Sequence, residues 1–308
     1  MASKCAVVFP GQGSQYPGMA KDIYQGLESI KEMFEIAEEI TGIQLRKIMF
    51  EGYKEELKKT YITQPAIFLH SSAVWEICKQ KLPHPSFVAG HSLGEFSALY
   101  ASEVWSFEDA LKIVAKRGRL MYEAGKNQKG SMAAIIGLSL EEVREICDGT
   151  ENLYLVNLNS PQQFVISGTE EAVEEGIKKA TKKNAKKAIK LAVSGAFHTP
   201  FLQEAARMFS QFLDGFKFNS PVYPVIMNVT GEPTKDVSMI KENIKKQLTN
   251  PVQWIKTLEI LKKEEIETVY ELGPGRVLCG ILKRTYGDIK CINIDKVEDV
   301  RVLLSSSV

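Results

Sequence analysis

The sequence predicts an α/β fold in which a small βαββαβ subdomain is inserted into a larger domain. First, an apolar run ends in Gly90-His91-Ser92-Leu93-Gly94 and a helical pattern follows, which indicates a strand, a sharp turn and a helix. Second, the apolar run Lys4–Phe9 enters a glycine-rich turn, as a buried strand does. Third, the segment 126–197 alternates in the order βαββαβ. We therefore expect residues 1–125 and 198–308 to form one domain around the insertion.

The individual elements follow from the periodicity of the apolar residues and from the residues that begin and end helices and strands. Helical patterns dominate residues 20–80, a strand covers Phe87–Ala89, and a helix covers Phe107–Gly125 and ends at that glycine. The insertion contains the predicted strand 131–136, helix 140–147, strands 153–158 and 163–167, helix 170–182 and strand 187–193. Two more core strands are predicted at Val225–Val229 and Thr268–Leu272, and the second leads into the turn Gly273-Pro274-Gly275.

Composition excludes several classes of protein. The hydrophobic fraction of 44% is ordinary for a chain of 308 residues with a proper core. The formal net charge of +1 argues against nucleic-acid binding by bulk electrostatics. The N-terminal apolar run is too short for a signal peptide, and no stretch approaches the length of a membrane span. We therefore expect a cytoplasmic protein with no nucleic-acid or membrane partner.

The cysteines indicate neither a disulfide framework nor a zinc site. There are five, an odd number, and they are widely spaced with no C-x-x-C pair. Reduced thiols in a cytoplasmic protein are the simplest interpretation. The cysteines are Cys5, Cys78, Cys147, Cys279 and Cys291.

Ser92 lies in the G-x-S-x-G spacing of a nucleophile elbow. Glycines two residues to each side remove side chains that would clash in so tight a turn, and backbone N–H groups at the following helix point towards whatever the serine attacks. The alternative is that Ser92 and Glu95 form a capping box that merely starts a helix. A cap does not require the two glycines, so the segment favours acyl-transfer chemistry.

A serine nucleophile needs a base, and His198 is the best candidate among four histidines. His91 adjoins Ser92 and should point away from it, His84 lies in a Pro-His-Pro loop, and His70 lies within a helix. His198 lies in a glycine-containing loop, where catalytic side chains tend to be found. No aspartate between the serine and the histidine suits a triad, so an amide or a backbone carbonyl is expected to orient the imidazole.

Arg117 lies at the edge of the apolar stripe of the predicted helix Phe107–Gly125. A partly buried arginine needs an anionic partner, which could be a structural carboxylate or the carboxylate of a ligand. The loop Gly11-Gln12-Gly13 does not match the dinucleotide pattern G-x-G-x-x-G, but it could bring a backbone N–H close to the serine.

Together these residues resemble the malonyl-CoA:acyl carrier protein transacylase family of bacterial type II fatty-acid synthesis, and the resemblance covers essentially the whole chain. The motifs that carry it are Phe9-Pro-Gly-Gln-Gly-Ser-Gln15, Thr63-Gln64-Pro65-Ala66, Gly90-His-Ser-Leu-Gly-Glu95, Lys116-Arg117-Gly118, Asn157-Leu-Asn-Ser-Pro161, Gly195-Ala-Phe-His198-Thr-Pro200, Gln247-Leu-Thr-Asn-Pro-Val-Gln-Trp254 and Glu271-Leu-Gly-Pro-Gly275. The resemblance implies a hydrolase-like large domain around a parallel sheet and a ferredoxin-like subdomain at residues 126–197.

The resemblance also implies a role for each site residue. Ser92 would be the nucleophile, His198 the base and then the acid, and a carbonyl of Gln247 would orient the histidine. The oxyanion hole would consist of two backbone N–H groups, and three side chains would contact the malonyl group. The oxyanion donors implied are Gln12 and Leu93, and the substrate-binding residues are Arg117, Met121 and Phe197.

The implied reaction is a ping-pong transfer of malonyl from malonyl-CoA to the phosphopantetheine thiol of holo acyl carrier protein, through an ester on Ser92. It calls for no metal or redox cofactor, and a monomer is expected. Two alternatives are a serine hydrolase or thioesterase on the same scaffold and an inactive scaffold that binds the carrier protein. A general esterase has no use for Arg117, and an inactive scaffold has no need of Ser92, His198 and Gln247 together.

Overall fold

The larger of the two sheets organises the fold. The computed structural model describes residues 4–193 and 195–305, so the ends of the chain, which the predicted domain bounds include, lie outside the described residues. Six strands lie in the order β10-β9-β1-β2-β7-β8, and neighbours pair in parallel except β7 with β8. Its strands are β1 (Cys5–Phe9), β2 (Phe87–Gly90), β7 (Val225–Ile226), β8 (Pro233–Thr234), β9 (Thr268–Leu272) and β10 (Lys290–Ile294).

The smaller sheet contains four antiparallel strands in the order β4-β5-β3-β6. Numbered within the subdomain this is the order 2-3-1-4, and two helices connect the strands as βαββαβ, which is the ferredoxin-like arrangement. The strands are β3 (Ser131–Ile136), β4 (Leu153–Ser160), β5 (Gln163–Gly168) and β6 (Lys187–Lys190). The predicted fold class is confirmed, and the domain bounds at 125/126 and 197/198 stay a prediction.

Helices cover both sheets, and none of the described helices is long and apolar enough to cross a membrane. Three 3₁₀ turns occupy Glu28–Ile30, Pro200–Leu202 and Gln247–Thr249. The helices are α1 (Lys21–Gly26), α2 (Lys31–Thr41), α3 (Leu45–Glu51), α4 (Lys54–Leu57), α5 (Thr60–Cys78), α6 (Gly94–Ala101), α7 (Phe107–Asn127), α8 (Leu140–Asp148), α9 (Glu170–Lys182), α10 (Gln203–Leu213), α11 (Val237–Lys246), α12 (Trp254–Lys263), α13 (Val277–Thr285) and α14 (Val297–Ser305).

Two predicted strands are shorter in the structure. The strand expected over 187–193 ends at Lys190, and Leu191 and Val193 turn into a cavity beside Ser92. The strand expected over Val225–Val229 ends at Ile226, because the next residues leave the sheet and Asn228 bonds to the elbow. The backbone N–H of Leu191 still donates to the carbonyl of Met132 at 2.8 Å, so the small sheet ends just after the assigned strand.

Cys279 and Cys291 form a disulfide, so the prediction of five reduced thiols was wrong for this pair. Helix α13 follows β9 and packs against β10, which brings the two Cα atoms to 5.5 Å, within disulfide range. The spacing in sequence contained no sign of this contact. The other three thiols are free and buried.

Breaking this disulfide should lower the free energy of unfolding by about 3 kcal/mol. The disulfide closes a loop between residues 12 apart and so reduces the conformational entropy of the unfolded chain. Urea denaturation with and without a reductant measures the change. The double variant Cys279→Ser/Cys291→Ser is the matched control, since reductant should not shift its midpoint. An unchanged wild-type midpoint under reductant would contradict the disulfide.

Candidate active site

Ser92 lies at the turn between β2 and α6, at the carboxyl end of a central strand of the large sheet. Its backbone φ is 51°, the left-handed conformation that a nucleophile elbow imposes on a non-glycine residue. A Cβ on Gly90 would lie 1.9 Å from the carbonyl carbon of Gly94, and a Cβ on Gly94 would lie 2.1 Å from the carbonyl oxygen of Phe9. The glycines are therefore required by close backbone contacts.

The capping-box alternative for Ser92 does not match the hydrogen bonds. Helix α6 begins at Gly94, and its N-cap residue, Leu93, makes no side-chain cap bond. The carboxylate of Glu95 accepts instead from the backbone N–H of Asn228 and from the side-chain amide of Gln247. Ser92 Oγ is thus free of a capping role and faces the site.

His198 contacts Ser92 across 106 residues of chain. Its Nε2 lies 2.8 Å from Ser92 Oγ. Its Nδ1 lies 2.9 Å from the carbonyl oxygen of Gln247 and 3.2 Å from that of Asn250. Because carbonyls only accept, Nδ1 carries the proton and Nε2 presents its lone pair to the serine. No carboxylate takes the third position of a triad here.

Burial, with a smaller contribution from the charge of Arg117, lowers the pKa of His198 to about 3. The imidazole is 4% exposed, so its charged form would be poorly solvated. The imidazole of His198 is consequently neutral at physiological pH.

Two backbone N–H groups, one in the elbow and one in the turn after β1, have no protein acceptor among the described residues. They belong to Leu93, in the elbow, and to Gln12, in the turn after β1. The turn is held against the elbow: a Cβ on Gly11 would lie 2.3 Å from the carbonyl oxygen of His91, and the N–H of His91 donates to Phe9 at 3.0 Å. Unpaired donors in two turns that lie against each other suit a developing oxyanion.

Arg117 lies on α7, is 1% exposed, and donates from Nη2 to Ser92 Oγ at 3.1 Å. Its other acceptors are amide oxygens: Gln64 at 2.7 Å, and Gln247 at 2.9 and 3.2 Å. No carboxylate of the described residues lies within ion-pair distance of it, so of the two alternatives for its partner a structural salt bridge is not formed. Burial lowers its pKa to about 9, and a buried cation without an anionic contact suits an anionic ligand.

A cavity of about 80 Å³ lies in front of Ser92, and its walls include the turns after β1 and β2 and two strands of the small sheet. The predicted residue Met121 lines it from α7, and the predicted residue Phe197 lines it from the end of the inserted segment. Met132 and Asn157 line it from β3 and β4. The complete lining is Gln12, Gln64, His91, Ser92, Arg117, Met121, Met132, Asn157, Leu191, Val193, Phe197 and His198.

His91 was expected to point away from Ser92. Its Nε2 does bond elsewhere, to Asn159 Oδ1 at 2.8 Å, but its ring lines the same cavity. Asn159 lies on β4, so this bond ties the elbow to the small sheet. Burial lowers the pKa of His91, which keeps it neutral.

Sequence reasoning gave no site role to Glu95, Asn228 or Gln64. Asn228 accepts from the N–H of Ser92 at 2.7 Å and donates to the carbonyl of Gly90 at 2.7 Å, which clamps the elbow. Gln64 lies in the motif Thr63–Ala66 and Glu95 ends the motif Gly90–Glu95, so these two motifs could have indicated both residues as members of the site. Nothing local in the sequence marked Asn228.

One group of potential metal ligands occurs among the described residues, formed by Glu271, Cys279 and Cys291. The two sulfurs are bonded to each other, and the oxygens of Glu271 accept from the N–H groups of Leu278 and Cys279 at the start of α13. The sulfur and oxygen atoms that could bind a metal are therefore already engaged in other bonds. None of the three residues lines the cavity beside Ser92.

The chain matches one protein family over nearly its whole length: the sequence model of the acyl transferase domain covers residues 6–303. It is 40% identical over 308 residues to the malonyl CoA-acyl carrier protein transacylase of Bacillus subtilis, covering 99% of this chain and 97% of that protein. It is 39% identical over 303 residues to the protein of the same name from Staphylococcus aureus, covering 97% and 98%.

Solved structures of similar proteins also match this chain over nearly its whole length. An acyl carrier protein S-malonyltransferase from Vibrio cholerae superposes with a TM-score of 0.92 at 37% identity, covering 98% of this chain and all of that one. A malonyl-transacylase solved in complex with a type II PKS acyl-carrier protein superposes with a TM-score of 0.94 at 36% identity, covering 99% and 100%.

Replacing Gly90 by alanine should destabilise the protein by at least about 3 kcal/mol, because the new Cβ would overlap the backbone of Gly94 and the turn cannot relax without moving α6. Thermal and urea unfolding measure the loss. Gly215→Ala is the control, since its Cβ would meet only an ordinary contact at 3.5 Å. Equal stability of the two variants would contradict the close approach at the elbow.

Proposed function

Because this chain belongs to the acyl transferase domain family, we propose that it is a malonyl-CoA:acyl carrier protein transacylase working through an ester on Ser92. It moves the malonyl group from malonyl-CoA to the phosphopantetheine thiol of holo acyl carrier protein, for fatty-acid synthesis. The observation that carries the residue-level proposal is the single cluster in which Ser92 Oγ meets both the neutral imidazole of His198 and the guanidinium of Arg117.

The first half-reaction begins with the malonyl carboxylate on Arg117. His198 Nε2 accepts the proton of Ser92 Oγ as the oxygen attacks the thioester carbonyl. The N–H groups of Gln12 and Leu93 stabilise the tetrahedral oxyanion, each by roughly 3 kcal/mol. The C–S bond then breaks, the protonated His198 gives its proton to the leaving CoA thiolate, and malonyl remains as an ester on the serine.

The second half-reaction runs the same steps with the carrier-protein thiol. His198 takes the thiol proton, the sulfur attacks the ester, and the proton returns to Ser92 Oγ as the ester C–O bond breaks. No step needs a metal or a redox group. The Gln247 and Asn250 carbonyls support the imidazolium in each half by accepting from Nδ1–H. A monomeric, cytoplasmic enzyme stays a prediction.

Two features weigh against the alternatives from the sequence. A hydrolase or thioesterase would have no use for a buried guanidinium whose acceptors are amides, whereas malonyl supplies the missing anion. An inactive scaffold would not need Ser92 in a left-handed backbone conformation 2.8 Å from an imidazole nitrogen. The transferase proposal accounts for both.

Ser92→Ala should abolish the covalent malonyl enzyme while the fold stays nearly intact, because only the attacking oxygen is removed. The experiment incubates the enzyme with labelled malonyl-CoA, quenches it, and measures the mass of the peptide containing Ser92. Ser97→Ala, at a buried serine on α6 whose Oγ has no partner, is the control that should still be acylated. A malonyl adduct on the Ser92→Ala protein would place the nucleophile elsewhere.

Arg117→Ala should lower the kcat/KM of malonyl transfer by the equivalent of about 2–5 kcal/mol, the cost of truncating a buried charge pair. Acetyl transfer should stay level or rise, because a guanidinium left without its anion penalises the uncharged acyl group. Steady-state kinetics with both thioesters give the comparison. Arg119→Ala, on the exposed face of the same helix, is the control. Equal losses for the two substrates would make Arg117 a structural residue only.

A further inference from the structure

Glu95 is a buried carboxylate in the site that none of the steps above uses. It is 1% exposed and lies on the first turn of α6, three residues after Ser92. We propose that the ionised carboxylate of Glu95 is a positioning group: it turns the amide oxygen of Gln247 towards Arg117 and so makes malonyl selectivity depend on the charge at residue 95. This inference rests on the proposed function of the site.

The two oxygens of Glu95 divide between two donors. Oε1 accepts from the backbone N–H of Asn228 at 2.7 Å, and Oε2 accepts from Nε2 of Gln247 at 2.5 Å. Asn228 in turn holds the N–H of Ser92. One carboxylate therefore supports the nucleophile on one side and the amide of Gln247 on the other.

The amide of Gln247 is the link to Arg117. Its Nε2 donates to Glu95 and to the carbonyl oxygen of Ser92, and its Oε1 accepts two bonds from the guanidinium. A flipped amide would point two N–H donors at the N–H groups of Arg117, which have no lone pair to accept them. The orientation that serves Arg117 is thus the one in which Nε2 faces an acceptor at residue 95.

Protonation of Glu95 disturbs this arrangement. Both groups that contact its oxygens are N–H donors, so a carboxylic O–H has no acceptor unless the Gln247 amide turns over. When the amide of Gln247 turns over, its Oε1 accepts from the new O–H of Glu95 and no longer accepts from Arg117. The guanidinium then loses two hydrogen bonds to one acceptor, Gln247 Oε1, and with them its position beside Ser92, and the malonyl carboxylate loses a fixed partner.

The pKa of Glu95 lies near neutral pH, so the charge of its carboxylate changes within the range of an ordinary pH profile. Burial raises the pKa of Glu95 to about 7, against the smaller opposing effects of its two hydrogen bonds and of Arg117. Arg117 is the charged group that faces it, from α7; His91 and His198, the imidazoles of the site, are held neutral because burial lowers the pKa of each. The ionised form is the active one, so malonyl transfer should fall as the pH falls through about 7.

The test is the pH profile of kcat/KM for acylation by malonyl-CoA and by acetyl-CoA, measured between about pH 8 and about pH 5.5 on wild type and Glu95→Gln. Wild type should lose malonyl acylation towards acid, with acetyl acylation much less affected. Glu95→Gln leaves one oxygen for two N–H donors, so its NH₂ faces an N–H of Gln247 or of Asn228, and malonyl kcat/KM should drop roughly 10- to 100-fold at neutral pH, as expected for lost bonds to a buried charge. The acid limb should disappear with it.

Glu271→Gln is the matched control. Glu271 is as deeply buried, accepts two N–H bonds, and has its pKa raised to about 7 by burial, but its partners are backbone groups of α13. This variant should keep both the acid limb and the preference for malonyl. A structural loss common to any buried glutamate would appear in both variants.

Three results would overturn the inference: a wild-type malonyl profile that is flat to about pH 5.5, a Glu95→Gln profile that keeps the acid limb, or equal losses for the two thioesters. The wild-type profile decides the matter even where Glu95→Gln does not fold. Failure of the proposed function is distinguishable, because wild type would then carry no malonyl on the peptide containing Ser92 at any pH.

Discussion

The close approach of the β1 turn to the nucleophile elbow is the constraint on which the rest of the site depends. Strands β1 and β2 pair in parallel, so the chain leaves both at the same edge of the sheet. Gly94 leaves no room for a side chain between the elbow and the backbone of Phe9, and Gly11 leaves none between the β1 turn and the carbonyl of His91. These contacts hold the turn that contains Gln12 against the elbow that contains Ser92 and Leu93. A single added methyl group would separate them.

The direct hydrogen bonds to Arg117 and to His198 Nδ1 come from amides, a hydroxyl and carbonyls, and the carboxylate of Glu95 acts on Arg117 through Gln247. Arg117 is enclosed, lies 5.1 Å from the ring centre of Phe96, and is held by the oxygens of Gln64 and Gln247. The imidazole of His198 is oriented by main-chain carbonyls. Neutral acceptors fix the geometry of a charged group without neutralising it, so the cation stays available for an anionic acyl group.

The small sheet completes the site from the opposite side. The backbone of β4 pairs with Val252, through the N–H of Leu158 at 3.0 Å and the carbonyl of Val156 at 2.8 Å. Asn159 binds His91, and Met132 and Asn157 line the cavity. Val252 lies two residues after Asn250, whose carbonyl contacts His198. The subdomain therefore supports the segment whose carbonyls orient His198, and it also covers the cavity beside Ser92.

The sequence by itself determined the local features: the elbow around Ser92, the order of elements in the insertion, and the position of Arg117 on its helix. These follow from turn chemistry and periodicity within about twenty residues of chain. Elimination among four histidines also led to His198. The tertiary structure alone decided which distant groups meet: Glu95 with Gln247, Asn228 with Ser92, and Cys279 with Cys291. It also ended the strands at Lys190 and Ile226. Pairings of this kind depend on how helices and strands pack across the whole fold, and short-range pattern carries no record of that packing.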